Sequence, residues 1–428
     1  METIKTHPPL SLLLLLQSAP PQETFKAFKD DCEVLGMPWY SSTAQQLCVS
    51  LFIRNPILLK YPPRKTNIRA FLKLYLNDLQ SPETMTLMIN TLNHDDEEEE
   101  DTIDSRLMEA YIEYSINSDS NDIQATKCYK TFYCPFACKP YLPVRLASGQ
   151  FTNVGLALWP AAFVLTQLLL DEFTSSQPMI LSPTGKIRVL ELGAGVGLTP
   201  LVLHRYSPCR ERLQRCILTD YQPELIENIL FNLNSNGIVS DLSSDHKGKD
   251  LVYITDILDW TETEENQHKL QEWDCNLILA ADCIYEVELI TPLVTTLRNA
   301  LHSAEDAVAI VVQTHRQNTT MRRFFDAVKD ASLQMKSFRL LSNALDEKNE
   351  RREGGGLTLQ PATLDAEGNL ITIEVDQEQN PDNNNNNNNN RINTRKDNGE
   401  GNNGCWNGWL GPFYLSSEAA VGIHVLRR

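Results

Sequence analysis

Long hydrophobic runs are missing: nothing in the 428 residues stays apolar for the about 20 positions that a membrane-spanning helix needs. The nearest approach is "PPLSLLLLLQSAP" close to the start. There Glu2 offsets Lys5, and no small-x-small cleavage site stands clearly behind the leucines. The stretch therefore reads as a short apolar helix packing on the body, not as a signal segment. Positive charge is also scarce. Thirty-eight Lys and Arg face 56 Asp and Glu, for a net charge of −18, which excludes a general nucleic-acid binder. Part of the excess is local, in "HDDEEEED" at 94–101, a solvated acidic run. The ten cysteines lack the spacing of a small disulfide framework. The tightest group, Cys128, Cys134 and Cys138 in "CYKTFYCPFACKP", has neither C-x-x-C spacing nor a nearby histidine. No metal is expected there, and the thiols read as the reduced cysteines of a cytoplasmic protein.

Apolar residues make up 42% of the chain, enough for a real core. Up to about residue 93 the pattern is helical: "QETFKAFKDDCEVL" and "TNIRAFLKLYLNDL" space their apolar residues at three and four, around a proline-bearing loop. From "MEAYIEYS" to "YKTFYC" the pattern turns strand-like. Beyond Phe151 strands and helices alternate. The runs "IRVLEL", "QRCILTD", "LVYITDI", "CNLILAAD" and "AVAIVVQTH" are short and apolar, and helical stretches such as "PELIENILFNLN" separate most of them. That alternation predicts an α/β, doubly wound, mostly parallel sheet covered on both faces. Periodicity fades at 342–411, a low-complexity insertion that holds the asparagine run 383–390. The expected plan is a helical extension at 1–93, an acidic linker and strand-like lead-in at 94–145, and a core at 146–341. The insertion follows at 342–411, and a terminal strand at 412–428 completes the sheet.

The densest chemistry lies in "VLELGAGVGLTP", Val189 to Pro200, where glycines stand at 193, 195 and 197. A glycine turn after a strand lets a ligand approach the backbone, and in an open α/β sheet ligands sit beyond the carboxyl ends of the strands. Asp220 ends the second run, a position suited to the two hydroxyls of a ribose. So far a dinucleotide and an adenosyl cofactor fit equally well. Three features separate them. The spacing is G-x-G-x-G, not the dinucleotide G-x-G-x-x-G. Glu191 stands just ahead of the turn, where a carboxylate repels a pyrophosphate and favours an ammonium or sulfonium. Trp260, in "ILDW" after the third run, offers a flat apolar wall for an adenine, with Asp259 beside it. S-adenosylmethionine carries both cations and no phosphate.

The fourth run ends in "AADCIYEVE". If the sheet order reverses between the first and fourth strands, Asp282 emerges beside the glycine turn, and Ala280 and Ala281 leave room for the cofactor. Asp282 can accept a hydrogen bond from an incoming amine, or cap a helix; Tyr285 can offer its ring to a cation.

"GLALWPAAFVLTQLLL", "VLELGAGVGL", "LTDYQPE", "NLNSNG", "LDW" and "AADCIY" together resemble the seven-β-strand S-adenosylmethionine-dependent methyltransferases. More narrowly they resemble the eukaryotic protein-lysine branch, whose D-x-x-Y signature falls on Asp282-Cys283-Ile284-Tyr285. "FKAFKDDCEVLGMPW", "NPILLKYPPRKTNIRAFLKLYLNDL" and "VVQTHRQNTTMRRFFDAV" are similar to the elongation factor 2 lysine methyltransferase family, called FAM86. The resemblance implies a class I, Rossmann-like fold and S-adenosylmethionine contacts at Trp159, Gly193, Ala194, Gly195, Asp220, Trp260 and Ala281. It also implies a lysine of elongation factor 2 as the methyl acceptor. The expectation is a cytoplasmic monomer with a protein substrate and no direct nucleic-acid or membrane partner. A different protein substrate, or a cofactor-binding scaffold without catalysis, remains the alternative.

Overall fold

The computed structural model describes residues 8–91, 103–116, 127–134, 139–147, 154–240, 251–340, 357, 359–373 and 420–428. The chain divides into two compact units, Met1–Val154 and Gly155–Arg428.

The first unit is helical with one hairpin. Its core is an aromatic cluster on the helices Pro21–Val34 and Lys65–Leu79 and the π-helical turn Val49–Ile53. Phe28, Phe52, Phe71 and Tyr75 meet edge to face, with Phe52 and Phe71 centroids 4.7 Å apart, and all four are essentially excluded from water. Burying Tyr75 strands its hydroxyl, and the backbone oxygen of Trp39 accepts that hydrogen bond at 2.7 Å. The leucine-rich stretch forms the helix Leu10–Leu16, with Leu12, Leu15 and Leu16 in this core. Its amino end has no capping side chain of its own; Asp31 accepts from the Ser11 N–H at 2.9 Å instead. Among the described residues, no helix is long and apolar enough to cross a membrane.

Two strands, β1 (Lys127–Tyr133) and β2 (Tyr141–Ala147), pair antiparallel. "MEAYIEYS", expected to be strand-like, instead lies in the helix Ser105–Ile116. Alternating Tyr and Ile satisfied a period of two, but Leu107, Ala110, Tyr111 and Tyr114 recur at three and four and pack together on the aromatic core. Cys128 and Cys134 are buried; Cys138 and the acidic run 94–101 lie outside the described residues.

The second unit is built on a nine-stranded sheet. In chain order its strands are β3 (Ile187–Leu192), β4 (Leu213–Asp220), β5 (Val252–Ile257), β6 (Leu277–Ala281), β7 (Val308–Thr314), β8 (Gln334–Leu340), β9 (Leu359–Leu364), β10 (Leu370–Thr372) and β11 (Val421–Arg427). The spatial order is β10-β9-β8-β11-β7-β6-β3-β4-β5. The run from β5 to β7 is parallel throughout, while β11 pairs antiparallel with both β7 and β8. Counted from β3, the seven core strands follow the order 3-2-1-4-5-7-6. This is a doubly wound, Rossmann-like order, and it reverses between β3 and β6, the condition on which Asp282 was expected beside the glycine turn.

Apolar runs explain the layering. Every residue of β7 is buried, as are the first six of β11. On one face Leu190, Leu192, Ile278, Ala280, Ala309 and Val311 join the helices Val287–Leu301 and Asn318–Asp330 in one core. The intervening residues, Glu191 among them, point to the opposite face. The helix Pro223–Ser235 begins at its proline and buries Leu225, Ile229 and Leu233, while Ile226 and Leu230 stay half-buried. Its Asn232 is also buried and donates to the Val196 oxygen at 2.9 Å, holding the glycine turn from below.

The segment 342–411, expected to lack periodic structure, contributes β9 and β10, which extend the expected seven strands to nine. They form a hairpin through Gly368, whose φ is +87°. Each strand is too short to register against the surrounding low-complexity sequence. The asparagine run lies outside the described residues.

Candidate functional site

Glu191 sits on β3, 4% exposed, with no hydrogen-bond partner for its Oε2. Burial pushes its acid up to about 8, although a Thr199 hydroxyl hydrogen bond pulls downward; the charge of Asp220 adds to the rise. Thr199 is in turn 3.2 Å from the Thr166 hydroxyl. A buried carboxyl with an idle oxygen is costly unless a cation arrives.

The turn that follows has a left-handed backbone at Gly193 (φ +61°), Gly195 (+56°) and Gly197 (+76°). It closes on itself through Gly197 N–H to Ala194 O at 2.8 Å and leans on β4 through Ala194 N–H to Thr219 O at 2.9 Å. Two of these glycines are also spatially obligatory. A Cβ at Gly193 would lie 2.9 Å from Cys283 Sγ and 3.5 Å from the Trp260 ring. One at Gly195 would lie 2.9 Å from the Gly155 carbonyl oxygen.

Asp220, at the end of β4, accepts from the Gly195 N–H at 2.9 Å with Oδ2 and from the Tyr221 N–H at 2.8 Å with Oδ1. Burial raises its pKa, and these two backbone donors oppose the rise. Trp260, after β5, packs half-buried on the sheet core next to Gly193. Asp259 closes its own turn by accepting from Thr261.

Ala281 ends β6 half-buried, and Asp282 follows with φ +53°, a left-handed conformation that aspartate tolerates better than most side chains. Its carboxylate is a hub. Oδ1 accepts from Thr314 N–H at 2.8 Å; Oδ2 accepts from the Thr314 hydroxyl at 3.1 Å and from Ala161 N–H at 3.3 Å. Asp282 therefore caps the helix Pro160–Thr174, whose own N-cap Trp159 supplies no side-chain acceptor. Tyr285 is half-exposed on the same loop, and its phenol is pushed up to about 12, mainly by desolvation.

The carboxyl ends of β3, β4 and β6 thus bring Glu191, Gly193, Ala194, Gly195, Asp220, Ala281 and Asp282 to one place, with Trp260 against Gly193. Trp159 joins through Ala161 and Arg316, whose guanidinium lies 4.9 Å over the Trp159 ring. Tyr285 stands farther out, toward solvent. Sequence reasoning missed Gly155, Thr199, Cys283, Thr314 and Arg316. For Thr314 and Arg316 the available signal was position, at the carboxyl end of a parallel strand next to β6. A cavity of 560 Å³ lined by Lys186, His204, Arg210 and Tyr253 holds none of these residues.

These residues fit an adenosyl cofactor with a cationic tail. The idle Glu191 oxygen suits the cation, and the left-handed glycines keep the turn tight, packed on Cys283 and on the Gly155 carbonyl. Among the described residues, no group of three or more His, Cys, Asp or Glu side chains is placed to hold a metal ion.

Residues 141–331 match the family model described as lysine methyltransferase. A putative uncharacterised protein of Dictyostelium discoideum is 29% identical over 224 residues, covering 49% of this chain and 57% of its own. The protein-lysine N-methyltransferase EEF2KMT of Homo sapiens is 27% identical over 248 residues, covering 58% of this chain and 64% of its own. The calmodulin-lysine N-methyltransferase of Arabidopsis thaliana is 27% identical over 184 residues, covering 42% of this chain and 52% of its own. The chain thus spans between about half and just under two thirds of the length of these relatives.

Proposed function

We infer that this chain is an S-adenosylmethionine-dependent protein-lysine N-methyltransferase whose substrate is translation elongation factor 2, working as a cytoplasmic monomer. The observation that carries the reading is the buried Glu191 carboxyl, its Oε2 without a partner among the described residues, directly behind the left-handed glycine turn. The match of residues 141–331 to a lysine methyltransferase family and the similarity to EEF2KMT support it. Similarity to a calmodulin-lysine enzyme keeps a second protein substrate in view.

When bound, the cofactor supplies an electrophilic methyl group on a sulfonium. The residues of the chain bind, orient and exclude water. Glu191 holds the cationic methionine end, while Gly193, Ala194 and Gly195 let it lie against the backbone. Asp220 still has a lone pair on each oxygen for the ribose hydroxyls. Trp260, Trp159 and Ala281 wall the adenosyl group. On the lysine side, Asp282, with its side chain 1% exposed, holds the start of the loop that carries Tyr285 through its bonds to Thr314 and Ala161. Tyr285 turns its ring to the entrance. The amine must arrive neutral, its lone pair in line with the bond being broken; a dry, apolar entrance lowers its pKa, and alignment does the rest.

The test is incubation of the purified chain with methyl-labelled cofactor and an extract from cells lacking this protein. Label on elongation factor 2 supports the full reading. Label on another protein alone retains the enzyme class and overturns the substrate. No protein label overturns the reading.

A further inference from the structure

We propose that Arg316 is a positioning residue that sets cofactor affinity through Trp159, a claim that rests on the reading above. Arg316 leaves the end of β7 and reaches back across the strand ends. Its guanidinium lies 3.5 Å from Asp282 Oδ2 and 4.9 Å over the Trp159 ring. Ring, guanidinium and carboxylate form one stack that joins three separate chain segments: the start of the helix Pro160–Thr174, the loop after β6 and the loop after β7.

Asp282 does not need Arg316 to satisfy its hydrogen bonds. Its side chain is 1% exposed and already accepts from Thr314 twice and from Ala161. What the arginine adds is a counter-charge on one side and a flat cationic face for Trp159 on the other. The Trp159 backbone precedes Pro160, and its side chain makes no capping bond to its own helix, so the capping geometry does not orient the indole. The guanidinium, held at one end by a buried acid, lies over its ring. The Arg316 side chain is 43% exposed, so its removal opens no core. A surface ion pair alone would make it dispensable. The stack on Trp159 makes it a determinant of how well the adenosyl wall is formed before the cofactor enters.

The experiment is calorimetric titration of S-adenosylmethionine into the full chain, its Arg316→Ala and Trp159→Leu variants and the double variant, each with a thermal melt. Arg316→Ala weakens binding about fivefold. In the Trp159→Leu background the same change costs less than about twofold, because its target is gone. Arg316→Lys keeps the charge beside Asp282 and melts as the native chain does, yet recovers only part of the affinity, since an ammonium has no flat face. Native affinity in Arg316→Ala overturns the proposal. So does an equal loss in both backgrounds, which would mean that the arginine only supports the fold. If the alanine variant fails to fold, the lysine variant carries the same comparison. Failure of the native chain to bind the cofactor would overturn the functional reading itself, a result distinct from either.

Discussion

Binding of the cationic cofactor should expel a proton from Glu191. The unliganded acid is buried, has an idle oxygen and titrates at about 8 where 4.5 is ordinary. That difference is worth about 5 kcal/mol of preference for the neutral form, an order-of-magnitude figure for a group 4% exposed. At pH 7 about nine tenths of the unliganded molecules carry this proton. An ammonium brought beside the carboxyl favours its ionised form, so binding releases nearly one proton near neutrality. Affinity then climbs close to tenfold between about pH 6 and 7 and flattens through about pH 8. Titrations at one pH in buffers of different ionisation enthalpy count the released proton. Glu191→Gln, which cannot ionise, provides the blank for titration of the ligand's own amine and should show no such slope. The unliganded protein carries the opposite sign. A carboxyl whose folded pKa is raised contributes its full stability below about pH 4.5, and that contribution is lost as pH rises through about 8. Glu191→Gln should therefore melt more nearly alike at pH 5 and pH 8.5 than the native chain does. Equal proton release by the native and Gln proteins would refute the reasoning, because Glu191 would then not be the group that meets the cation.

Three further substitutions test other parts of the site. Gly195→Ala places a Cβ 2.9 Å from the Gly155 carbonyl at a φ of +56°, and should cost about 2 kcal/mol in denaturant unfolding with cofactor binding weakened at least about tenfold. Asp282→Ala strands the buried Thr314 and Ala161 N–H groups, so a loss of about 2–4 kcal/mol is expected in the same assay, with Asp282→Asn intermediate. Tyr285→Ala removes a half-exposed side chain and should leave stability within about 0.5 kcal/mol. Its methyl transfer should fall about fivefold at unchanged cofactor affinity, measured by filter binding and calorimetry side by side.

Much of the parallel sheet was legible because its strands are unbroken apolar runs, and burial on both faces is the only arrangement that uses them. The glycine turn was legible for a related reason: a positive φ and a missing Cβ leave a mark in residue type. Strand β8, by contrast, carries Lys336, Ser337 and Arg339 among its few apolar residues and is only half-buried, so it lacks the strong signal of β7. The hairpin of β9 and β10 hid for lack of length. In the helix Ser105–Ile116, alternating Tyr and Ile imitated a strand until the aromatic core chose the helical face. The site partners that escaped notice act through backbone or through distance in sequence. Gly155 meets Gly195 by its carbonyl, Cys283 fills the space under Gly193, and Thr314 and Arg316 reach Asp282 across the sheet. The last two appear only once β6 and β7 are laid side by side.

The most direct test of the central claim is transfer itself. Purified chain, methyl-labelled S-adenosylmethionine and purified elongation factor 2 are combined, and the acceptor is digested and sequenced by mass spectrometry. The account predicts methyl groups on a lysine side chain, reduced at least about tenfold at limiting cofactor when Gly195→Ala replaces the native chain. A native chain that leaves every lysine unmodified while elongation factor 2 is intact, or that binds a nicotinamide dinucleotide in place of S-adenosylmethionine, would contradict it.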